Sequence, residues 1–443
     1  MASDSRTTGR YIVLLRPDKP RSSVRRLTEL TGVKVVHSRG RDPKPRAPAE
    51  KCAIVFDHIG VALLYCSADA GRTIARAAAE GDHTILAVEP ERRVHAWGMG
   101  HDPLRDAYLK GYRDGVEDLV RRLTQGDGDT PLQLPVIAPV NATWGVTAVG
   151  ADRAPYTGKG VRIAILDTGL DLDHPDFRGR SITPRSFIEG ESQQDGNGHG
   201  THCAGIAAGP AAPDGVPRYG VASQAELFIG KVLSDEGGGS DGSVLQGIDW
   251  AIENQCQIIS MSLGSPAQAG ESHSAVFETV AQRALQAGTL IVAAAGNESQ
   301  RPEHIAPVGH PANCPSILAV GAIDENMRVA PFSCGGLSPG GGEVDLSAPG
   351  VDIASSWPMP QGHHTISGTS MATPFVAGIA ALHAEAGPGL RAAALAERLA
   401  ETARRLEEPP RDVGAGLVQA PQGNTGRSND SPVHALPRID RKT

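Results

Sequence analysis

The chain has 443 residues, 40% of them hydrophobic, enough for one large domain with smaller pieces attached. Its 53 Gly and 33 Pro point to the many tight connections of an α/β enzyme, and with aromatics at only 4% the core must be filled by Ala, Val, Ile and Leu. The net charge of -8 is uneven, because residues 1–51 carry 13 Lys/Arg against 5 Asp/Glu, leaving the remainder strongly acidic. That basic arm has neither aromatic interleaving nor a known motif, so docking on its own acidic neighbour accounts for it at least as well as nucleic acid does, and no nucleic-acid partner is expected. Cys52, Cys66, Cys203, Cys256, Cys314 and Cys334 are widely spaced with no CxxC, which excludes a small disulfide scaffold and predicts buried thiols. The start has no apolar signal region and no run of 18 apolar residues occurs, so no membrane partner is expected. As written the chain reads as soluble and cytoplasmic, or extracellular if a leader is missing.

In chain order, residues 10–97 read as a small α+β unit: strand "RYIVLLR", a helix over 24–30, "VKVVHS", "CAIVFDHIGVALLYC", the Ala-rich helix "AGRTIARAAAE", and "TILAVEP". That order is βαββαβ, a ferredoxin-like arrangement. Leu104, Tyr108, Tyr112, Val116, Leu119, Val120 and Leu123 recur at helical spacing, predicting an amphipathic linker helix inside a 98–134 linker. From about 135 to 421 buried strands ("VRIAILD", "ELFIGKVL", "CQIISMSLG", "TLIVAAAGN", "SILAVGAI") alternate with helices, the pattern of a mostly parallel sheet with helices on both faces. The polar stretch 422–443 reads as a disordered tail.

Chemistry concentrates at three places. Asp167 directly follows a buried strand, where open α/β sheets put their sites, although a lone Asp there is more often a turn or cap. His199 stands among Gly196, Gly198 and Gly200, with His202 three residues on. A zinc site on that pair lacks further ligands, and Cys203 crowds the same turn. Ser370 lies in "SGTSMATPFVAG" at the start of a helix with Phe375, Val376, Ile379 and Leu382 inward, where unpaired N–H groups suit a developing oxyanion; a plain N-cap is the bland alternative. A serine needs a base and the base a carboxylate, so the three explain one another better than each does alone. A GxSxG elbow fails: position 372 is Ala, and His383 and His434 are poor bases by location.

The order Asp167, His199, Ser370, with "DTGLDLDHPDF", "GHGTHCAG", "SMSLGS", "AAAGNE", "HPANCPSILAVGA", "APG" and "GTSMATPFVAG", resembles the subtilisin-like serine proteases over 135–421. The resemblance implies a serine endopeptidase acting through an acyl-enzyme on polypeptide substrates, with Asn297 as side-chain donor of the oxyanion hole. It further implies substrate strands on Ser262, Leu263 and Gly264 and, opposite, on Gly239, with Ala295 and Gly296 near the primary pocket. Residues 1–97 resemble the inhibitory propeptide of that family, so the chain's own propeptide is an expected partner, the product is an autoprocessed zymogen, and a monomer is expected. The activating cut is expected between about 97 and 135, with no residue marking it.

Departures from the family pattern are specific. Phe375 stands where many relatives have His, which concerns packing. The loop "GIAAGPAAPDGVPRYG" lacks the ligand run of a strong calcium site, and Asp176 alone matches a carboxylate of that site. No cofactor or metal is therefore expected for the chemistry, and structural calcium stays open. Cys203 resembles the thiol-bearing branch of the family. The rivals are a non-catalytic protein-binding module that keeps the fold and a zinc hydrolase on His199 and His202; a fluorophosphonate probe separates them.

Overall fold

The computed structural model describes residues 6–38, 52–97, 141–337 and 342–422. The linker helix anticipated around 102–125 and most of the expected tail lie outside these residues.

The first unit runs β1 (Thr7–Leu15), α1 (Pro20–Thr31), β2 (Lys34–His37), β3 (Cys52–Phe56), β4 (Val61–Tyr65), α2 (Ala68–Ala79) and β5 (Ile85–Ala96). The segment read above as a single strand, "CAIVFDHIGVALLYC", is a hairpin instead. It turns at 57–60, where Gly60 takes φ +62° and its N–H closes on the Phe56 carbonyl at 2.8 Å. The apolar residues on both sides of the turn conceal it, because both strands are buried almost throughout. β3 pairs antiparallel with β4, which pairs with β1, and β1 with β5.

The second unit is built on a seven-stranded, wholly parallel sheet in the order β14-β13-β12-β10-β6-β8-β7, with ranges Leu346–Pro349, Leu318–Ile323, Leu290–Ala294, Ile258–Met261, Arg162–Asp167, Glu226–Lys231 and Ile182–Ser186. Strands buried on both faces need covering on both. One face packs on α3 (His199–Ala208) and α6 (Thr369–Ala386), with Ile163, Ile165, Val292, Val320, Ala204, Val376 and Ile379 in one core. The other packs on α4 (Asp241–Glu253) and α5 (Ala275–Gln286). Cys203, Cys256, Cys314 and Cys334 are buried thiols within these cores, as expected from their spacing. The Phe375 ring is buried and lies so close to Gly145 that a Cβ there would come within 2.6 Å of it, consistent with a packing role.

The two units share a core and a ladder. Ile12, Leu14, Phe56, Ile59 and Leu63 of the first unit pack with Val244, Ile248, Val276 and Val280 of α4 and α5. Alternate residues of β5 meet the N-termini of both helices, where N–H groups lack intrahelical partners. Glu91 Oε1 accepts from Gly242 N at 3.0 Å, and Glu89 accepts from Ser274 Oγ at 2.7 Å and from Val276 N at 3.1 Å. Arg283 on α5 donates to the carbonyls of Ile59, Gly60 and Leu15, the last at 3.1 Å.

The end of β5 continues into the second unit. It pairs antiparallel with β9 (Gly238–Ser240), aligning Arg93 with Ser240, Val94 with Gly239 and His95 with Gly238, and with β11 (Leu263–Gly264), aligning Ala96 with Leu263 and His95 with Gly264. No described helix is long and apolar enough to cross a membrane.

Candidate active site

Asp167 ends β6 and is 1% exposed, as a carboxylate at the carboxyl edge of a parallel sheet can be when it has partners. Its Oδ1 accepts from Thr168 N at 2.8 Å and meets His199 Nδ1 at 2.7 Å. His199 opens α3, whose start is fixed by Asp195. That carboxylate accepts from Gly198 N at 2.8 Å, Thr201 N at 2.8 Å and Thr168 Oγ1 at 2.9 Å, so one cap ties the helix to the residue after Asp167. The glycines make the approach possible. Gly198 has φ +108°, and a Cβ on Gly200 would lie 2.3 Å from the Gly169 carbonyl oxygen. The wholly buried Lys231 donates to the Thr168 carbonyl at 2.6 Å and pairs with Asp235 at 2.7 Å.

Ser370 is the second residue of α6, and Pro374 explains how its carbonyl is satisfied. Proline has no N–H to return to the residue four before it, so the Ser370 carbonyl lacks its helical donor. Ser262 Oγ supplies the bond at 2.8 Å, with the Cys203 thiol at 3.6 Å. This fixes the turn that carries the nucleophile candidate to the segment before β11. Asn297, at the end of the loop after β12, uses Oδ1 for Thr369 N at 2.9 Å and Thr369 Oγ1 at 2.8 Å, which keeps its Nδ2 donors for another acceptor.

The cleft between these groups is filled by the end of β5. The Trp97 carbonyl oxygen accepts from the Ser370 hydroxyl and from His199 Nε2, the latter at 3.1 Å, and Trp97 N donates to the Ser262 carbonyl at 3.2 Å. Ser370 Oγ also reaches the Ser262 carbonyl at 3.1 Å. The indole of Trp97 is 6% exposed and lies against Gly264 and Gly309, where added Cβ atoms would approach it to 2.6 and 3.1 Å. Of the residues anticipated to hold substrate, Ser262, Leu263, Gly264 and Gly239 all touch this strand. Ala295 acts one step away, its carbonyl accepting Gly309 N at 2.9 Å, and Gly296 is turned toward Thr369, Glu298 and Cys334. Trp97 and Gly309 were not legible beforehand: no motif marks a cleft occupant, and Gly309 sits in a loop beside the recognised "HPANCPSILAVGA".

Burial opposes charge on His199, but the adjacent Asp167 charge, with smaller help from Cys203, outweighs it and holds the imidazole well above its ordinary value. With Nδ1–H on Asp167, Nε2 then donates to the Trp97 carbonyl. His202 behaves oppositely: burial and the neighbouring His199 push it down to about 3, and Nε2 is spent on the Ile353 carbonyl at 3.0 Å. Among the described residues, the ligand atoms that converge with those of His199 come from Asp167 and Cys203 and not from His202. Burial pushes the Cys203 thiol up, and its Sγ lies 3.9 Å from His199 Nδ1, beneath the base. Asp167, His199 and Cys203 bring one ligand atom each into a common group, as do His174, Asp176 and His363. In the second group Asp176 Oδ2 already accepts from the Tyr219 hydroxyl and meets His363 Nε2 at 3.0 Å, so the carboxylate matched to a calcium position has protein partners.

A carboxylate at a strand end of a parallel α/β sheet, paired with an imidazole at the start of one helix and joined by a serine at the start of another, defines a serine hydrolase of the doubly covered sheet class. The model of the subtilase family, peptidase S8, matches residues 158–424, and the chain belongs to that family as a serine-type endopeptidase. A thermostable alkaline protease of Halalkalibacterium halodurans is 41% identical over 62% of this chain and 72% of its own length. Subtilisin Savinase of Lederbergia lenta is 40% identical over 62% of this chain and 96% of its own, and the M-protease of Shouchella clausii 40% over 62% and 68%.

Proposed function

We propose that the chain is a self-blocked protease zymogen whose residues 1–97 occupy the cleft as a substrate does and are released by a cut after Trp97. The observation that carries this reading is the Trp97 carbonyl, held between the Ser370 hydroxyl and His199 Nε2 on a strand paired to both cleft walls. Ser370 Oγ attacks a peptide carbonyl carbon, His199 takes the hydroxyl proton and returns it to the leaving amine, and Asp167 orients the ring and stabilises the imidazolium. The charge that develops on the carbonyl oxygen is met by Asn297 Nδ2 and by the Ser370 N–H at the positive end of α6.

The Trp97 carbonyl oxygen lies between serine and base and accepts from both, so the docked strand blocks turnover by filling the place of a substrate. Polypeptides enter as the same kind of strand between β9 and β11. Mass spectrometry of the full chain during maturation tests the proposal. A new terminus after Trp97, absent in Ser370→Ala and accompanied by fluorophosphonate labelling at Ser370, is expected. A processed terminus elsewhere refutes the placement of Trp97, and unchanged processing in Ser370→Ala refutes the role of the serine.

A further inference from the structure

We propose that Asp241, backed by His310, forms an acidic subsite that selects arginine at the sixth residue before the scissile bond. The inference rests on β5 standing where a substrate stands, so that Trp97 is the first residue before the cut and Arg92 the sixth.

Asp241 begins α4 immediately after β9 and has no exposed surface. One oxygen, Oδ2, accepts the Arg92 backbone N–H at 2.9 Å and stands 3.7 Å from the Arg92 guanidinium. The other, Oδ1, meets His310 Nε2 at 2.9 Å. His310 is 5% exposed, sets its ring edge-on to Phe277 at 4.6 Å, and brackets Ser265, just beyond β11, with two backbone bonds of 2.9 Å. The pair thus links the β9 wall of the cleft to the β11 wall beside the docked strand. A hydroxyl or amide would suffice to hold one backbone N–H. A carboxylate buried there is costly unless charge compensates it, and the strand brings that charge. The guanidinium of Arg92 is 24% exposed and is also 3.1 Å from Glu89, a residue of the strand itself. In a substrate without an acid at the Glu89 position, Asp241 is the nearest acid to the arginine, with Glu271 adding a weaker attraction.

Two separable contributions follow. The backbone bond is available to any residue and aligns the chain; the ion pair discriminates between side chains and weakens with salt. The test uses the autoprocessed protein and three fluorogenic, N-acetylated peptides of sequence acetyl-X-Arg-Val-His-Ala-Trp, with X as Arg, citrulline or Ala, so that X keeps an uncharged backbone N–H. Citrulline keeps the shape and the N–H and removes the charge. The Arg peptide is expected to exceed the citrulline peptide about 3- to 10-fold in kcat/KM, the difference residing in KM and shrinking at about 1 M salt, as for a partly exposed pair. In Asp241→Asn the Arg-to-citrulline ratio falls to about 1. Should that variant fail to fold, the citrulline and salt comparisons on the unsubstituted enzyme decide the matter. Equal rates for Arg and citrulline, or a preference indifferent to salt, overturn the subsite. If none of the peptides is cut after Trp, the register set by Trp97 is wrong and the subsite falls with it.

Discussion

Shortening the last residue of the docked strand gives a quantitative test of the cleft. Two peptides serve as product inhibitors of the autoprocessed enzyme, Arg-Arg-Val-His-Ala-Trp and the same sequence ending in Ala. Trp97 is 6% exposed, so docking removes nearly the whole side chain from water, about 200 Å² or, at about 25 cal/mol per Å², roughly 5 kcal/mol. Against this stands Nε1, which is buried without a partner and costs about 1–3 kcal/mol. The net of about 2–4 kcal/mol corresponds to a ratio of inhibition constants of about 30- to 800-fold, measured in a steady-state assay with a fluorogenic substrate. A benzothienylalanine end, which replaces the N–H by sulfur, should bind more tightly than Trp. A ratio below about 3, or weaker binding of the sulfur analogue, refutes the placement of the indole against Gly264 and Gly309.

Further outcomes follow from the site. Asn297→Leu should lower kcat about 100- to 1000-fold with little change in KM, a magnitude taken from the equivalent donor of subtilisin and checked by active-site-titrated kinetics; a loss confined to KM contradicts an oxyanion role. His202 is fully buried with its pKa lowered to about 3, so it favours folding above the unfolded value near 6.5 and loses that contribution as pH falls toward 3. Denaturant titrations of Ser370→Ala should therefore show stability dropping by some kcal/mol between pH 6 and 3, and a flat profile opposes the assignment. Ser262→Ala removes the donor to the Ser370 carbonyl and should destabilise by about 1–2 kcal/mol while reducing kcat, read by thermal unfolding and kinetics together. Because Tyr219 and His363 occupy Asp176, a chelator is expected to shift the melting temperature by under about 3 °C; a loss above 10 °C would assign a structural cation to that neighbourhood.

The parts of this architecture visible in the sequence are those written locally. Asp167 after "VRIAIL", His199 between glycines and Ser370 at the head of an apolar helix each announce an element boundary, and a parallel sheet gathers such boundaries along one edge. The relations hidden from it are made by pairing across long separations. The register that brings Trp97 to Ser370 spans 273 positions, and the Asp241–His310 pair spans 69. In "DHIG" the turn-forming Asp57 and Gly60 do mark a hairpin, and the long apolar runs on either side outweigh that short signal in the reading of one strand. The answer of Ser262 to the carbonyl left open by Pro374 likewise needs the fold before it can be seen.

If residues 1–97 leave as proposed, the membership of β5 in two ladders sets a rule for what the enzyme can digest. With the strand gone, β9 and β11 face each other across a slot two strand spacings wide, about 9.6 Å, lined with vacant amide and carbonyl rungs. A helix with its side chains, about 10–12 Å across, is too thick to enter. Only a stretch of chain already drawn out flat can fill the gap, so compact proteins are consumed at the pace of their own local unravelling, and loosely folded ones go first.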